Sequence, residues 1–181
     1  MRIIGGELGG RVLRPSMKGW PTRPTTDMAR EALFNILQNR IDFSKIKILE
    51  LFGGTGAHSI ECISRGCEDV SYVDNYAKCV RWTRTIAKEL KIDAYLNIIQ
   101  SDVRKFIKND STSYDYIFAD PPYALEWMME LPDQIINSGL LKSDGFLIIE
   151  HSVDSNFSSH SNFDRTRKYG QSAFSFFNTA F

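Results

Sequence analysis

The sequence predicts an α/β fold: a mostly parallel, seven-stranded sheet with one antiparallel strand, plus an N-terminal β-hairpin and helix. Three observations carry this. Between Ile46 and Glu150, β-branched and aromatic runs alternate with segments of helical period, the pattern of a parallel sheet joined by right-handed crossovers, with helices on both faces. The last two strand-like runs, Phe163–Tyr169 and Ser172–Phe177, have no helix between them, so one strand reverses. Glycines and acids recur where strands end, and open sheets of this kind bind ligands outside the carboxyl ends of their strands.

Residues 1–15 read as a hairpin, with Arg2-Ile3-Ile4 and Arg11-Val12-Leu13-Arg14 flanking a glycine-rich turn. A loop containing Pro15, Gly19, Pro21 and Pro24 follows. Thr25-Thr26-Asp27 offers capping hydroxyls and a first-turn acid, which start a helix. Ala29, Ala32, Leu33, Ile36 and Leu37 hold its period to about Asn39. Arg23 and Arg30 flank the helix start, whose N–H groups can hold an anion.

Strands are expected at 46–52, 70–74, 95–100, Tyr114–Ala119 and 146–150. The helices between them fall at Ala57–Ser64, ended by Gly66, at Ala77–Leu90 and at 103–107. Another near 126–129 is interrupted or restarted by Pro132, and Asp144-Gly145 turns the chain into the fifth strand. The serine-rich stretch 152–162 reads as a flexible loop. Residues 1–40 are expected to form an extension packed on a core domain of residues 41–181.

The length of 181 residues suits one domain with a proper core. No apolar run approaches the roughly 18 residues of a membrane span, and the N-terminus has no signal-peptide core, so a cytoplasmic protein without membrane attachment is expected. Cys62, Cys67 and Cys79 make no metal spacing with the three histidines. Buried reduced thiols and no metal are expected. Net charge is zero, which argues against a generic nucleic-acid binder. The distribution says more. Residues 1–40 hold seven Lys/Arg against three Asp/Glu, and the remainder fifteen against nineteen. A basic segment on an acidic body can steer a polyanion to one face. A chance excess of surface arginine gives the same count.

Asp120-Pro121-Pro122-Tyr123 follows the fourth strand. Two prolines lock two backbone angles and remove two donors, so the strand stops abruptly. Its end offers a carboxylate, backbone carbonyls and an aromatic ring, which suit a planar molecule carrying an NH2 group. Alone, the stretch also reads as a strand ending in a tight turn.

Glu50-Leu-Phe52-Gly53-Gly54-Thr55-Gly56 ends the first strand. A dinucleotide loop would carry a third glycine where Ser59 stands, which weakens a nicotinamide reading. Glu50 suits a ligand ammonium. Asp74, ending the second strand beside Asn75, can accept both ribose hydroxyls. Ser101-Asp102-Val103, after the third, can meet an exocyclic adenine amine. Each acid alone is more often a solvated strand end. Together they describe S-adenosylmethionine, its methyl near Asp120.

These motifs resemble the amino-methylating class of S-adenosylmethionine-dependent methyltransferases, which have a Rossmann-like fold. Met1-Arg-Ile-Ile-Gly-Gly6, Arg11, Arg23-Pro-Thr-Thr-Asp27 and Arg30-Glu31 narrow the likeness. With them, and with Tyr169-Gly170 and Phe174-Ser-Phe176, the chain is similar to the bacterial enzymes that methylate guanine N2 at position 966 of 16S ribosomal RNA. The likeness runs from residue 2 to about 178. It implies that Glu50, Phe52, Gly53, Gly54, Thr55, Gly56, Asp74, Asn75, Asp102 and Val103 surround the cofactor. It implies that Asp120, Pro121, Pro122 and Tyr123 hold the guanine, and that Arg2, Arg11, Arg14, Arg23, Thr25 and Arg30 meet RNA. A monomer acting on 16S RNA, within an assembled or assembling small subunit, is the implied partner relationship.

The departures are Gly53 for a frequent alanine, Thr55 for a frequent serine, a missing asparagine near Lys88-Glu89, and the serine-rich loop. The same chemistry also fits adenine N6 in DNA or a protein glutamine. A non-catalytic RNA-binding assembly module and a nicotinamide oxidoreductase are the rivals of other kinds.

Overall fold

In chain order the elements are α1 (Asp27–Leu37), β1 (Lys47–Leu51), α2 (Ala57–Ser64), β2 (Asp69–Asp74), α3 (Ala77–Leu90), β3 (Leu96–Gln100) and α4 (Val103–Asn109). They continue with β4 (Tyr114–Ala119), α5 (Leu131–Asn137), β5 (Leu141–Ser152), β6 (Phe163–Tyr169) and β7 (Ser172–Phe177). The computed structural model describes residues 1–15 and 26–178. One seven-stranded sheet has the order β3-β2-β1-β4-β5-β7-β6. Strands β1 to β5 pair in parallel, while β7 is antiparallel to both β5 and β6. So β7 alone is reversed, as the missing helix implied. The order reverses between β1 and β4, at the centre.

Strand alternation sorts the core into two layers. Ile48, Tyr72, Tyr116, Phe118, Ile148, Phe174 and Phe176 share one layer with residues of α1, α2 and α3. Leu49, Leu51, Val73, Ile117, Ala119, Ile149 and Phe177 share the other with residues of α4 and α5. In α1, Leu33, Phe34 and Leu37 are completely buried, each worth about 1.5–3 kcal/mol of transfer free energy. Its N-cap is Thr26, whose side chain accepts from the Ala29 N–H. Cys62, Cys67 and Cys79 are free and buried.

The N-terminal hairpin and the helical restart at Pro132 are found where expected, while the Asp144-Gly145 turn and the loop 152–162 need correction. The N-terminal hairpin forms around the antiparallel Arg2–Val12 bridge, closed by backbone bonds from Ile3 N–H to the Arg11 carbonyl at 2.9 Å, Gly10 N–H to the Ile3 carbonyl at 2.8 Å and Leu13 N–H to the Met1 carbonyl at 2.9 Å. Its outward-facing donors also dock it on α2. The N–H groups of Ile4 and Gly5 reach the Glu61 carboxylate at 2.8 and 2.9 Å, and that of Glu7 reaches the Ser64 carbonyl at 2.7 Å. Gly6 permits this approach, because a Cβ there would stand 1.7 Å from the Ser64 oxygen.

Pro132 restarts the helix after a 3₁₀ turn at Met128–Glu130, as one of the two expected alternatives had it. It sits in the first turn of α5, where its missing N–H has no intrahelical partner to lose. Asp144-Gly145 is not a turn before the fifth strand but lies within β5, opposite an irregularity between Tyr114 and Tyr116. Gly145 lets the two backbones approach, since a Cβ would come within 2.9 Å of the Asp115 oxygen. The serine-rich stretch 152–162 is pinned by Phe157, which is 1% exposed and packs its ring against His151 and Phe177. Among the described residues no helix is long and apolar enough to cross a membrane.

Candidate active site at the strand ends

Sheet register aligns the candidate residues. Leu51 pairs with Val73 on one side and Ala119 on the other, and Ala119 pairs with Ile149. The next residues, Asp74, Phe52, Asp120 and Glu150, therefore lie at one level across four adjacent strands. Glu50 lies one pleat below, opposite Tyr72 and Phe118. By alternation, Glu50, Asp74, Asp120 and Glu150 project toward the layer of α1, α2 and α3. This acidic row crosses the point where strand order reverses, the ligand-binding position of such sheets.

Glu50 is buried, and its Oε2 accepts both the Ser59 N–H at 3.0 Å and the Ser59 hydroxyl. Gly56, the N-cap of α2, has no side chain to cap the helix, so the strand acid does so from outside. Burial pushes the Glu50 carboxyl up to about 7, against the opposing pull of the Ser59 donors. Ser59, conspicuous in the sequence only as an absent glycine, is thus the partner of the acid.

The glycine loop has a supported back and an open front. Gly54 has φ +52° and a Cβ there would meet only the Phe52 carbonyl, 3.9 Å away. Its N–H donates to Asp74 at 2.8 Å, and its carbonyl accepts from the Tyr72 hydroxyl at 2.8 Å. The Tyr72 ring fills the space behind Gly53, where a Cβ would stand 2.2 Å from Cε2. This explains glycine here in place of alanine. We expect Gly53→Ala to destabilise the fold by about 1–3 kcal/mol through overpacking. Gly53→Ala/Tyr72→Leu should be less damaging than the two single effects summed. Urea midpoints check this, and an alanine variant as stable as the parent would mean that the ring yields freely.

Phe52 carries a left-handed φ of +57°, a conformation costing about 1–3 kcal/mol for such a residue. Its ring packs 6.0 Å from that of Trp127, over which the Arg104 guanidinium lies at 4.7 Å. Trp127 and Arg104 went unnoticed in the sequence, because neither stands in a motif. Asp74 also accepts the Tyr76 N–H at 2.7 Å, and burial raises its pKa. Two accepted bonds leave lone pairs for a ligand. Asn75 beside it is exposed. Asp102 is exposed and caps α4, accepting the Lys105 N–H at 3.0 Å, while Val103 is buried. The buried Thr55 donates its hydroxyl to the Met1 sulfur at 3.4 Å, tying the N-terminal segment to the loop.

At the end of β4, the Asp120 N–H still donates to the Leu51 carbonyl at 3.2 Å. Pro121 is buried and Pro122 exposed. The Tyr123 ring is 54% exposed, and its hydroxyl lies 2.9 Å from Ser172 Oγ on β7. Partial burial raises the phenol pKa, and the Glu150 and Asp120 carboxylates add to the rise. Glu150 is 2% exposed. Sequence reasoning passed over it; the available signal was an acid closing an apolar strand.

Arg2, Arg11 and Arg14 are exposed on the N-terminal segment. Arg30 is not: it is 4% exposed, and its Nη2 donates to the Arg2 carbonyl at 2.8 Å and to Asp27. The expectation that it faces RNA is corrected, because α1 turns this position inward as a clamp on the segment. Arg23 and Thr25 lie outside the described residues.

The residues present fit a nucleoside with a cationic tail: acids at three successive strand ends, an aromatic wall at Phe52 and a loop open at Gly54. Comparison with known proteins points the same way. The chain is 33% identical over 150 residues to "Ribosomal RNA small subunit methyltransferase D" of Buchnera aphidicola subsp. Acyrthosiphon pisum, covering 82% of this chain and 76% of the relative. A structure from Thermus thermophilus, described as a hypothetical protein, superposes with a TM-score of 0.84 at 25% identity, covering 99% of each chain. The fold alone is shared with "the SAM Dependent Methyltransferase from Agrobacterium tumefaciens", at a TM-score of 0.65 and 20% identity over 82% of this chain and 61% of that one. The family described as "Conserved hypothetical protein 95" matches residues 1–178, and the chain belongs to it.

Proposed function

We propose that this protein is an S-adenosylmethionine-dependent methyltransferase that modifies the 2-amino group of a guanine in 16S ribosomal RNA. The carrying observation is the register that sets Asp120 level with Asp74 and beside the glycine loop. The Glu50, Phe52–Gly56, Asp74–Asn75 and Asp102–Val103 positions hold the cofactor. When bound, the cofactor supplies an electrophilic methyl group.

The guanine amine is a poor nucleophile because its lone pair is delocalised into the ring. Asp120 and the Pro121 carbonyl accept its two N–H bonds, which turns the lone pair out of the ring system toward the methyl. Positioning of this kind removes much of the entropic barrier. A carboxylate facing the developing positive nitrogen adds electrostatic stabilisation. Pro121 and Pro122 hold the carbonyl rigid. Tyr123, tethered through Ser172 with its ring half open, stacks on a base flipped from its helix.

Residues 1–40 are an extension whose Arg2, Arg11 and Arg14, with Arg23 and Thr25, meet RNA. The enzyme acts as a monomer in the cytoplasm. A labelled-methyl assay against 16S RNA, undermethylated small subunits, DNA and protein decides the substrate. Mass spectrometry of ribosomal RNA from a deletion strain must show one lost N2-methylguanine. Label entering adenine or glutamine instead would replace the guanine reading by one of its rivals, and no transfer at all would favour a binding module.

A further inference from the structure

Strands β6 and β7 close the sheet at the edge away from β3. Because β7 is reversed, β6 runs parallel to β4 and β5. Its last residues and the tip Gly170-Gln171 therefore lie at the same end of the sheet as Asp120. Register makes the placement finer. Glu150 pairs with Phe174, which pairs with Arg167. Ser152 pairs with Ser172, which pairs with Tyr169. Paired residues share a face, and Phe174 belongs to the layer of α1, α2 and α3. Arg167 thus continues outward the row of Asp120 and Glu150, on the same face. Tyr169 lies one pleat further toward the open end, beyond Ser172, to which the Tyr123 hydroxyl is bonded. The neighbouring cation Lys168 pairs with Ala173 and faces the opposite layer, where it acts on the His151 charge.

The chemistry of this strip is that of a single-stranded nucleic-acid seat: two aromatic rings flank a serine, and an exposed guanidinium stands at the rim. Tyr169 is half-buried, with its ring centroid 5.8 Å from that of Phe174, so its position is fixed by packing. Aromatic rings in such seats stack bases whatever their identity, and cations hold the backbone. Cations also guard edge strands against sheet extension. Such a guard serves equally well on either face, whereas a seat beside Tyr123 needs the face of Arg167.

We propose that the β6–β7 tip is a second RNA-binding element, in which Arg167 holds a phosphate and Tyr169 stacks a nucleotide flanking the target. The inference rests on the RNA reading of the site given above, and extends the RNA surface beyond the N-terminal segment to the opposite rim.

The test is fluorescence anisotropy of a labelled single-stranded RNA oligonucleotide across a salt series, with calorimetric binding of S-adenosylhomocysteine and thermal melting as controls. Arg167→Ala should weaken RNA binding about 3–10-fold and lower the salt slope by about one unit. Lys168→Ala should weaken it far less, since it removes the same charge from the other face. Tyr169→Leu should lose about fivefold or more through stacking, and Tyr169→Phe should retain it. Homocysteine-nucleoside affinity and melting should hold in all four. Arg167→Ala binding RNA like the parent, or Arg167→Ala and Lys168→Ala losing equally, overturns the proposal and leaves the edge guard. In either case a parent that still methylates RNA keeps the catalytic reading intact. A parent that neither binds nor methylates RNA overturns both.

Discussion

Asp120→Ala should lower methyl transfer by at least about 10²–10³-fold, the range seen when one preorganised electrostatic partner is removed from a site. Binding of S-adenosylhomocysteine should change little. The separation follows from the fold. The Asp120 backbone is held by the Leu51 carbonyl, an interaction that the side chain does not make, so the glycine loop beside it keeps its support. The loop rests on Tyr72 and Asp74. Asp120→Asn should retain part of the activity, since an amide oxygen still accepts one N–H but carries no charge. Single-turnover rates measured beside calorimetric cofactor affinity give the answer. Near-parental turnover in Asp120→Ala would remove this residue from the mechanism.

The second large effect belongs to Glu50. Its folded pKa of about 7 stands well above that of an ordinary carboxylate. The folded state therefore holds a proton that the unfolded state has released. This contribution to stability is fully present below the ordinary carboxylate range and is lost as pH rises through about 7. Its size is about 2–4 kcal/mol. His58 and His151 act with the opposite sign, because burial lowers both pKa values. Their contribution is lost as pH falls through the histidine range, so the raw pH profile blends the effects. The difference between the cofactor-free parent and Glu50→Gln isolates the carboxyl, since glutamine stays neutral throughout. Urea midpoints at pH 5 and pH 8 should converge on the acid side and separate on the alkaline side, with the parent weaker. Parallel profiles would show that the Glu50 proton does not move in this range. A cationic ligand tail draws the same proton off, so S-adenosylhomocysteine should bind the parent more tightly as pH rises toward 7, and bind Glu50→Gln with little such dependence.

Much of this was legible along the chain. The seven strands and the reversal of one follow from residue period and from the missing last crossover. The helix Ala77–Leu90 stands where its apolar spacing put it. The acids Glu50 and Asp120 were found because their strand ends are marked locally, by glycine or proline after an apolar run, and Asp74 by closing the next strand after the glycine loop. Where expectation failed, a distant partner had intervened. Arg30 read as a surface cation beside a helix start, yet α1 turns it toward the Arg2 carbonyl, 28 residues away. The N-terminal hairpin forms as its β-prone ends imply, but its docking on Glu61 and Ser64 of α2 joins residues far apart in the chain and had no local signal.

Local pattern alone therefore settled the type and order of the sheet's elements and which loops stand at the carboxyl ends of its strands. Their burial, charge state and company were decided by packing. Tyr72 behind Gly53, Ser59 on Glu50, Glu150 beside the Tyr123 phenol, and the common face of Arg167 and Asp120 all join residues from different strands or helices. Such pairs depend on register and crossing order, and a one-residue slip in either would send the same side chains to the opposite layer.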